Sequence, residues 1–212
     1  MNCLVEQMLR RPSLGVFAFG DIVNLFPNAS RSSVYAHVQR ALRCGELVQV
    51  RRGLYHLSHQ VSNRLVSEGV LANLIYGPSY VSFESALGYH GWIPEAVRTH
   101  TSVTSLRPRR FETVHGLFSY TLIKQTPLMA GVMTGNEGGG PFLVATPLKA
   151  LADIVASRGL DWTDSRPLIE SMRIEPDELE TLTEKDFAML DGVYYSKRAR
   201  VFLAGLRKDL EV

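Results

Sequence analysis

The chain has 212 residues, 45% of them hydrophobic and 21% charged, the proportions of an ordinary globular protein. No apolar run approaches the roughly 20 residues of a membrane-spanning helix. The first residues carry Glu6 where a secretory leader would be basic, so the sequence reads as cytoplasmic. The net charge of +2 is unevenly placed: residues 1–58 hold seven arginines against three acids, a balance of +4, while the rest holds 16 basic and 18 acidic groups. A basic head on a near-neutral body is the asymmetry expected when one module meets phosphate and the other does not.

In chain order, Leu4, Val5, Met8 and Leu9 make one face of a short helix that Pro12 stops. Phe19, Ile22, Val23 and Phe26 predict a second helix within 17–26, ended by the turn signal Pro27-Asn28. Ser30 is an N-cap for a third helix, and Gly45 closes it. Val34, Val38, Ala41 and Leu42 form its buried stripe. At 100° per residue the opposite side carries Ser32, Ala36, Gln39 and Arg43, flanked by Ser33 and Arg40. That face is polar and basic, with no acid on it. Arg31, Ser32 and Ser33 sit at the start of the helix, where free N–H groups can approach a phosphate or a base edge. Tyr35 stands at the edge of the stripe, and two roles are open for it: packing on the first helix, or its hydroxyl on a phosphate. Arg43 has a competing partner in Glu46. Two short apolar runs around Arg51-Arg52-Gly53 then predict a β-hairpin.

Three helices and a hairpin in this order predict a winged helix-turn-helix over residues 1–58, with the third helix in the major groove of duplex DNA and the hairpin on a flanking phosphate or the minor groove. Arg31, Ser32, Ser33, Ala36 and Gln39 are expected to face bases. Arg40, Arg43, Arg51 and Arg52 are expected chiefly on phosphate. A basic exposed face alone is usually just solvated, and so is a pair of arginines in a turn. Their combination within 30 residues favours DNA.

Residues 59–212 predict a second, mixed α/β domain with a small sheet and a helical C-terminus, so the whole chain reads as α+β. Residues 59–76 have helical spacing up to Gly77-Pro78. Ser82 caps a helix that Gly91 ends, with Ser85 three residues on as a weak capping box. Strands are expected near 100–105, 117–123, 129–133 and 142–145, with the basic patch Arg107-Pro108-Arg109-Arg110 beside one of them. The glycine-rich segment 135–140 has no Gly-Lys-Ser/Thr and contains Glu137, so it reads as a strand connection and not a phosphate loop. Thr146 and Pro147 start a helix in which Lys149 and Asp153 are an i,i+4 pair, expected at the surface or between elements. Residues 165–210 predict three or four helices.

Cys3 and Cys44 are too few for a disulfide framework and read as small apolar helix residues. His56 and His59 lack a nearby thiol or carboxylate, so no metal site is expected. No nucleophile elbow, Walker signature or metalloprotease motif appears. The expectation is a protein without enzymatic activity or cofactor.

Four fragments in order carry a resemblance: Ser30-Arg31-x-Ser33-Val34-Tyr35; Gly45-x-Leu47-x-x-Val50-x-Arg52-Gly53-x-Tyr55; Tyr80-Val81-Ser82-x-x-Ser85-Ala86-Leu87-x-x-His90-Gly91; and Val144-Ala145-Thr146-Pro147-x-Lys149-Ala150-Leu151-x-Asp153. Together they resemble the AbiEi family of type IV antitoxins, over nearly all of the chain to about residue 160. Leu148 departs from the acid expected before the lysine. The resemblance implies a bifunctional bacterial protein of a toxin–antitoxin and phage-defence operon. One domain would bind inverted repeats upstream of its own operon and repress it; the other would counter a nucleotidyltransferase-like toxin, directly or indirectly. An inverted repeat needs two winged helices, hence a homodimer or a cooperative pair on DNA. A plain transcriptional regulator with a ligand-sensing or dimerisation domain is the rival.

Overall fold

The computed structural model describes residues 2–11, 15–94 and 99–212 and is an α+β structure with two hydrophobic clusters. The first is built by α1 (Cys3–Leu9), β1 (Val16–Ala18), α2 (Phe19–Asn24), α3 (Arg31–Arg43), β2 (Leu47–Arg51) and β3 (Leu54–Leu57). Asn2 caps α1 by accepting from the Leu4 N–H, and Leu4, Val5 and Met8 are buried as their spacing requires. Pro12, the expected stop, lies outside the described residues. The second helix is shorter than expected, because residues 16–18 pair with β3 as a strand before the helix begins. The three strands run antiparallel in the order β1-β3-β2. Their inner face (Phe17, Leu47, Tyr55 and Leu57) closes on Val34, Val38 and Ala41 of α3.

The second cluster surrounds a six-stranded sheet of order β6-β7-β5-β4-β9-β8. Its elements are α4 (Glu68–Ile75), β4 (Ser79–Val81), α5 (Phe83–Tyr89), β5 (Thr99–Thr104), β6 (Arg109–Thr113), β7 (Gly116–Leu122), β8 (Val132–Asn136), β9 (Pro141–Ala145) and α6 (Pro147–Arg158). Beyond them come α7 (Arg166–Glu170), α8 (Pro176–Glu180), α9 (Glu184–Ala188) and α10 (Lys197–Asp209), four helices where three or four were expected. The pairs β4–β9 and β5–β7 are parallel and the others antiparallel. This sheet is larger than the sequence suggested. β4 has three residues, and β6 is an arginine-bearing edge strand, so neither shows a clean apolar alternation.

Three local expectations are corrected. The helix expected over 59–76 begins only at Glu68, because the Ser67 hydroxyl takes the Val70 N–H and caps it there. Ser82 precedes α5 without capping it: its hydroxyl donates to Asp153, and Ser85 bridges Thr99 and Thr101. Residues 135 and 136 belong to strand β8, so only the remainder of the glycine-rich segment is a connection. Thr146 and Pro147 start α6 as expected, and Gly159 ends it in the left-handed region at φ 63°. Gly69 sets how closely α4 lies on β9, since a Cβ there would stand 2.6 Å from the Phe142 ring.

The two clusters touch through the β2–β3 hairpin. Val50 and Leu54 turn outward from the small sheet into the body's core. All four residues of β3 are buried, covered on one face by the head and on the other by the body. No helix among the described residues is long and apolar enough to cross a membrane.

Candidate nucleic-acid interface

α3 begins with a complete cap. The Ser30 hydroxyl accepts from the Ser33 N–H at 3.1 Å and lies 3.0 Å from the Ser32 hydroxyl. It ends in a Schellman closure, with Gly45 at φ 70°, Gly45 N–H on Leu42 O and Glu46 N–H on Ala41 O. Both ends are therefore fixed locally, and the buried stripe fixes its rotation. Arg31, Ser32, Ser33, Tyr35, Ala36, Arg40 and Arg43 are all exposed, and Gln39 is half-buried. The helix is not shielded by the body.

Tyr35 takes neither of its two expected environments in full. It is 52% exposed, and its ring meets the edge of Phe19 in α2, not the first helix, with centroids 6.1 Å apart. Arg31 lies over the same Phe19 ring at 5.7 Å. Phe19 thus steadies two side chains of the exposed face. Arg43 does not pair with Glu46; it donates to Gln39 O, while both Glu46 oxygens take the Asn2 N–H at 3.1 Å. Arg31, Arg40 and Arg43 make no ion pair with any described residue.

The hairpin arginines differ from each other. Arg52 is exposed at the turn, next to Gly53 at φ 81°. Arg51 is half-buried, and its Nη1 donates to Arg52 O at 3.0 Å. Its register opposite Leu54 turns it toward the body, where its charge opposes the strong upward push of burial on the Tyr120 hydroxyl. Of the two, Arg52 is the freer to meet a phosphate.

Sequence reasoning missed the junction behind the hairpin. His56 is buried in β3; its Nδ1 lies 2.8 Å from Leu57 O and its Nε2 2.8 Å from Nε2 of His115, in the β6–β7 turn. The carbonyl requires a proton on Nδ1 of His56, so Nε2 accepts and His115 donates. Burial, the largest cause, lowers the pKa of both rings. No local pattern marks a histidine pair 59 residues apart.

Of the two places expected for the Lys149–Asp153 pair, the surface or between elements, it takes the second. Both side chains are fully buried, with Nζ 3.5 Å from Oδ1. Asp153 accepts from Tyr80 at 2.9 Å, Ser82 at 2.7 Å and Tyr194 at 2.7 Å; Lys149 donates to Tyr194 at 3.1 Å and to Gln125. Desolvation, the largest cause, lowers the Lys149 pKa, and the Asp153 charge opposes it. The network joins β4, α6 and the segment before α10. Neither head group reaches solvent, so the pair holds elements together and cannot meet a substrate. Tyr80 and Ser82 from one fragment of the resemblance, and Lys149 and Asp153 from another, converge here.

Cys3, in α1, and Cys44, at the end of α3, are exposed free thiols. No group of three or more metal-binding side chains occurs among the described residues.

The chain's fold is matched among solved structures by the crystal structure of the RV2827C protein from Mycobacterium tuberculosis. The TM-score is 0.54 at 14% identity, covering 99% of this chain and 78% of that one. At that identity the likeness is one of fold. No family model and no curated protein matches the chain.

Proposed function

We propose that this chain is a DNA-binding antitoxin that represses its own toxin–antitoxin operon and neutralises a cognate nucleotidyltransferase-like toxin. In this reading residues 1–58 are a winged helix-turn-helix, α3 is its recognition helix and the β2–β3 hairpin its wing. The order α1-β1-α2-α3-β2-β3 and the sheet order β1-β3-β2 support it. The observation that carries it is the exposed, acid-free face of α3, whose arginines have no carboxylate partner among the described residues. Arg31, Ser32, Ser33, Ala36 and Gln39 face base edges; Tyr35, Arg40, Arg43, Arg51 and Arg52 serve the backbone. Residues 59–212 are the antitoxin domain, and its toxin-directed role rests on the resemblance to AbiEi antitoxins. The protein works without cofactor or catalysis, in the cytoplasm, as a homodimer or cooperative pair on an inverted repeat.

A salt-titrated gel shift on the DNA upstream of the gene tests the first half. Arg51→Ala with Arg52→Ala lowers affinity on every sequence and flattens the salt slope by up to about two units. Unchanged affinity removes the wing from the interface. Co-expression with the neighbouring gene's product tests the second half: a product harmless on its own, or still toxic beside this protein, rules the antitoxin out. The rival ligand-sensing regulator is favoured by one feature, an open cleft of about 530 Å³ between the end of α6 and the start of α10, lined by Trp162, Lys197 and Arg198.

A further inference from the structure

We propose that the cleft between α6 and α10 binds a free mononucleotide, its base on Trp162 and its phosphate on Lys124, Lys197 and Arg198. The proposal goes beyond the DNA-binding antitoxin reading and does not depend on it. The cleft belongs to the body, and neither α3 nor the hairpin lines it.

Two openings meet at this place. The first, of about 530 Å³, lies between the end of α6, residues 159–163 and the start of α10. The second, of about 400 Å³, lies between the end of β7, the end of α6 and Tyr195. Ala156 and Ser196 line both, so the two form one continuous trench. Its walls are fixed from behind. Gly205 lets the backbone of Thr163 rest directly on α10, because a Cβ there would overlap the Thr163 carbonyl oxygen. Trp162 meets the edge of the buried Phe202 ring, with centroids 6.3 Å apart. Arg198 donates to Asp161 at 2.7 Å, which holds its guanidinium beside Gly159. The Tyr195 N–H donates to Lys124 O at 3.3 Å, and Gln125 bridges Tyr194. Lys124, just past β7, is thereby brought to the start of α10.

The lining has two kinds of chemistry. Large apolar side chains are left open to water: Tyr195 is 67% exposed, and Leu122 and Val201 are each 42% exposed. Among the charged lining residues Lys124, Lys197 and Arg198 are basic and Asp161 alone is acidic, a balance of +2. Asp161 is spent on Arg198, while the two lysines are exposed and make no ion pair with any described residue. The Ser196 hydroxyl accepts from the Ala199 N–H and keeps its own proton to donate. An inorganic anion would leave the aromatic wall idle, and a hydrocarbon would leave the lysines idle. A planar heterocycle joined to a phosphate uses both, since its π face stacks on an indole and its oxygens take charged N–H donors. The larger opening is also within the roughly 300–1,000 Å³ of small-molecule sites.

The test uses the full chain and isothermal titration calorimetry with AMP, GMP, CMP and UMP. At least one nucleotide is expected to bind one to one and to quench tryptophan fluorescence. Trp162→Phe removes that quenching, since Trp92 lies in the core. Lys124→Gln with Lys197→Gln is expected to weaken binding about tenfold or more, with an unchanged melting temperature, because both side chains are exposed. Adenosine and sodium phosphate, offered separately, are each expected to bind more weakly than the nucleotide. Any of four results overturns the proposal: no nucleotide bound at millimolar concentration; equal affinity in the lysine variant, which moves the site elsewhere; equal affinity for phosphate alone; or capture of an acidic peptide but of no nucleotide, which makes the trench a docking groove. None of them touches the gel-shift test of the DNA-binding reading.

Discussion

The head and the body use arginine in opposite ways. Around the C-terminal helices four arginines have found an acid, Arg158 with Glu84, Arg166 with Asp164, Arg198 with Asp161, and Arg207 with Glu184 and Asp191, while Arg200 of α10 has none among the described residues. On α3 and the hairpin Arg31, Arg40, Arg43, Arg51 and Arg52 have none among the described residues. An exposed charge without an ion-pair partner stays available for an outside one. The difference teaches where to look for that partner: not where charge is dense, but where it has been left without a counterion.

The body's stability rests on polar groups it has sealed inside, and this contrast can be broken by mutation. The largest effect is expected from Asp153→Ala. It strands a buried lysine and three hydroxyls, at a cost of about 3–5 kcal/mol. Urea denaturation should show the loss. Replacing the pair together, Lys149→Met with Asp153→Leu, is expected to restore most of it. A single replacement that leaves the midpoint unmoved would mean that solvent reaches the site.

In the head the corresponding change is smaller. Ser30→Ala removes the cap of α3 and is expected to cost about 1 kcal/mol. It also loosens the end of the helix that carries Arg31, so under the proposed function DNA affinity is expected to fall with stability. Equal affinity in the variant would separate the cap from the interface.

The smallest effect lies at the joint between the two regions. His56 and His115 are held neutral by burial, so their folded pKa lies below the ordinary value of 6.5. A depressed histidine contributes stability that is complete above its unfolded pKa and is lost as pH falls from 6.5 toward the folded value. Protonation of His56 would bring two N–H groups face to face. His59 and His100 add to the positive side of this joint and Glu68 offsets them. One neutral hydrogen bond is worth about 1 kcal/mol. A melting temperature that falls between pH 7 and 5.5 in the wild type, and falls less in His56→Gln, is the expected outcome. Identical pH profiles would place the effect elsewhere.

Much of the head was legible in the sequence because its signals are local. The cap at Ser30, the stripe from Val34 to Leu42, the Gly45 closure and the Arg52-Gly53 turn all lie within one or two turns of chain. The body was legible where the same held, as at Thr146 and Pro147. It was obscure where meaning depends on what arrives from afar. β3 is buried on both faces only because the body covers it, so its alternation is lost. Lys149 and Asp153 have the spacing of a surface pair, and only Tyr80, Ser82, Gln125 and Tyr194, far off in sequence, make them interior. β6 carries arginines at positions where an apolar pattern would have announced a strand.

Val50 and Leu54 are contributed by the head but count among the body's interior residues. The head is therefore not a detachable cassette. Cut free after residue 58, it would present two aliphatic side chains and a bare imidazole to water; grafted onto a foreign partner, it would need a matching socket for them. Changes on the body-facing side of this hairpin are tied to changes in the body, while its solvent-facing side is left free to drift.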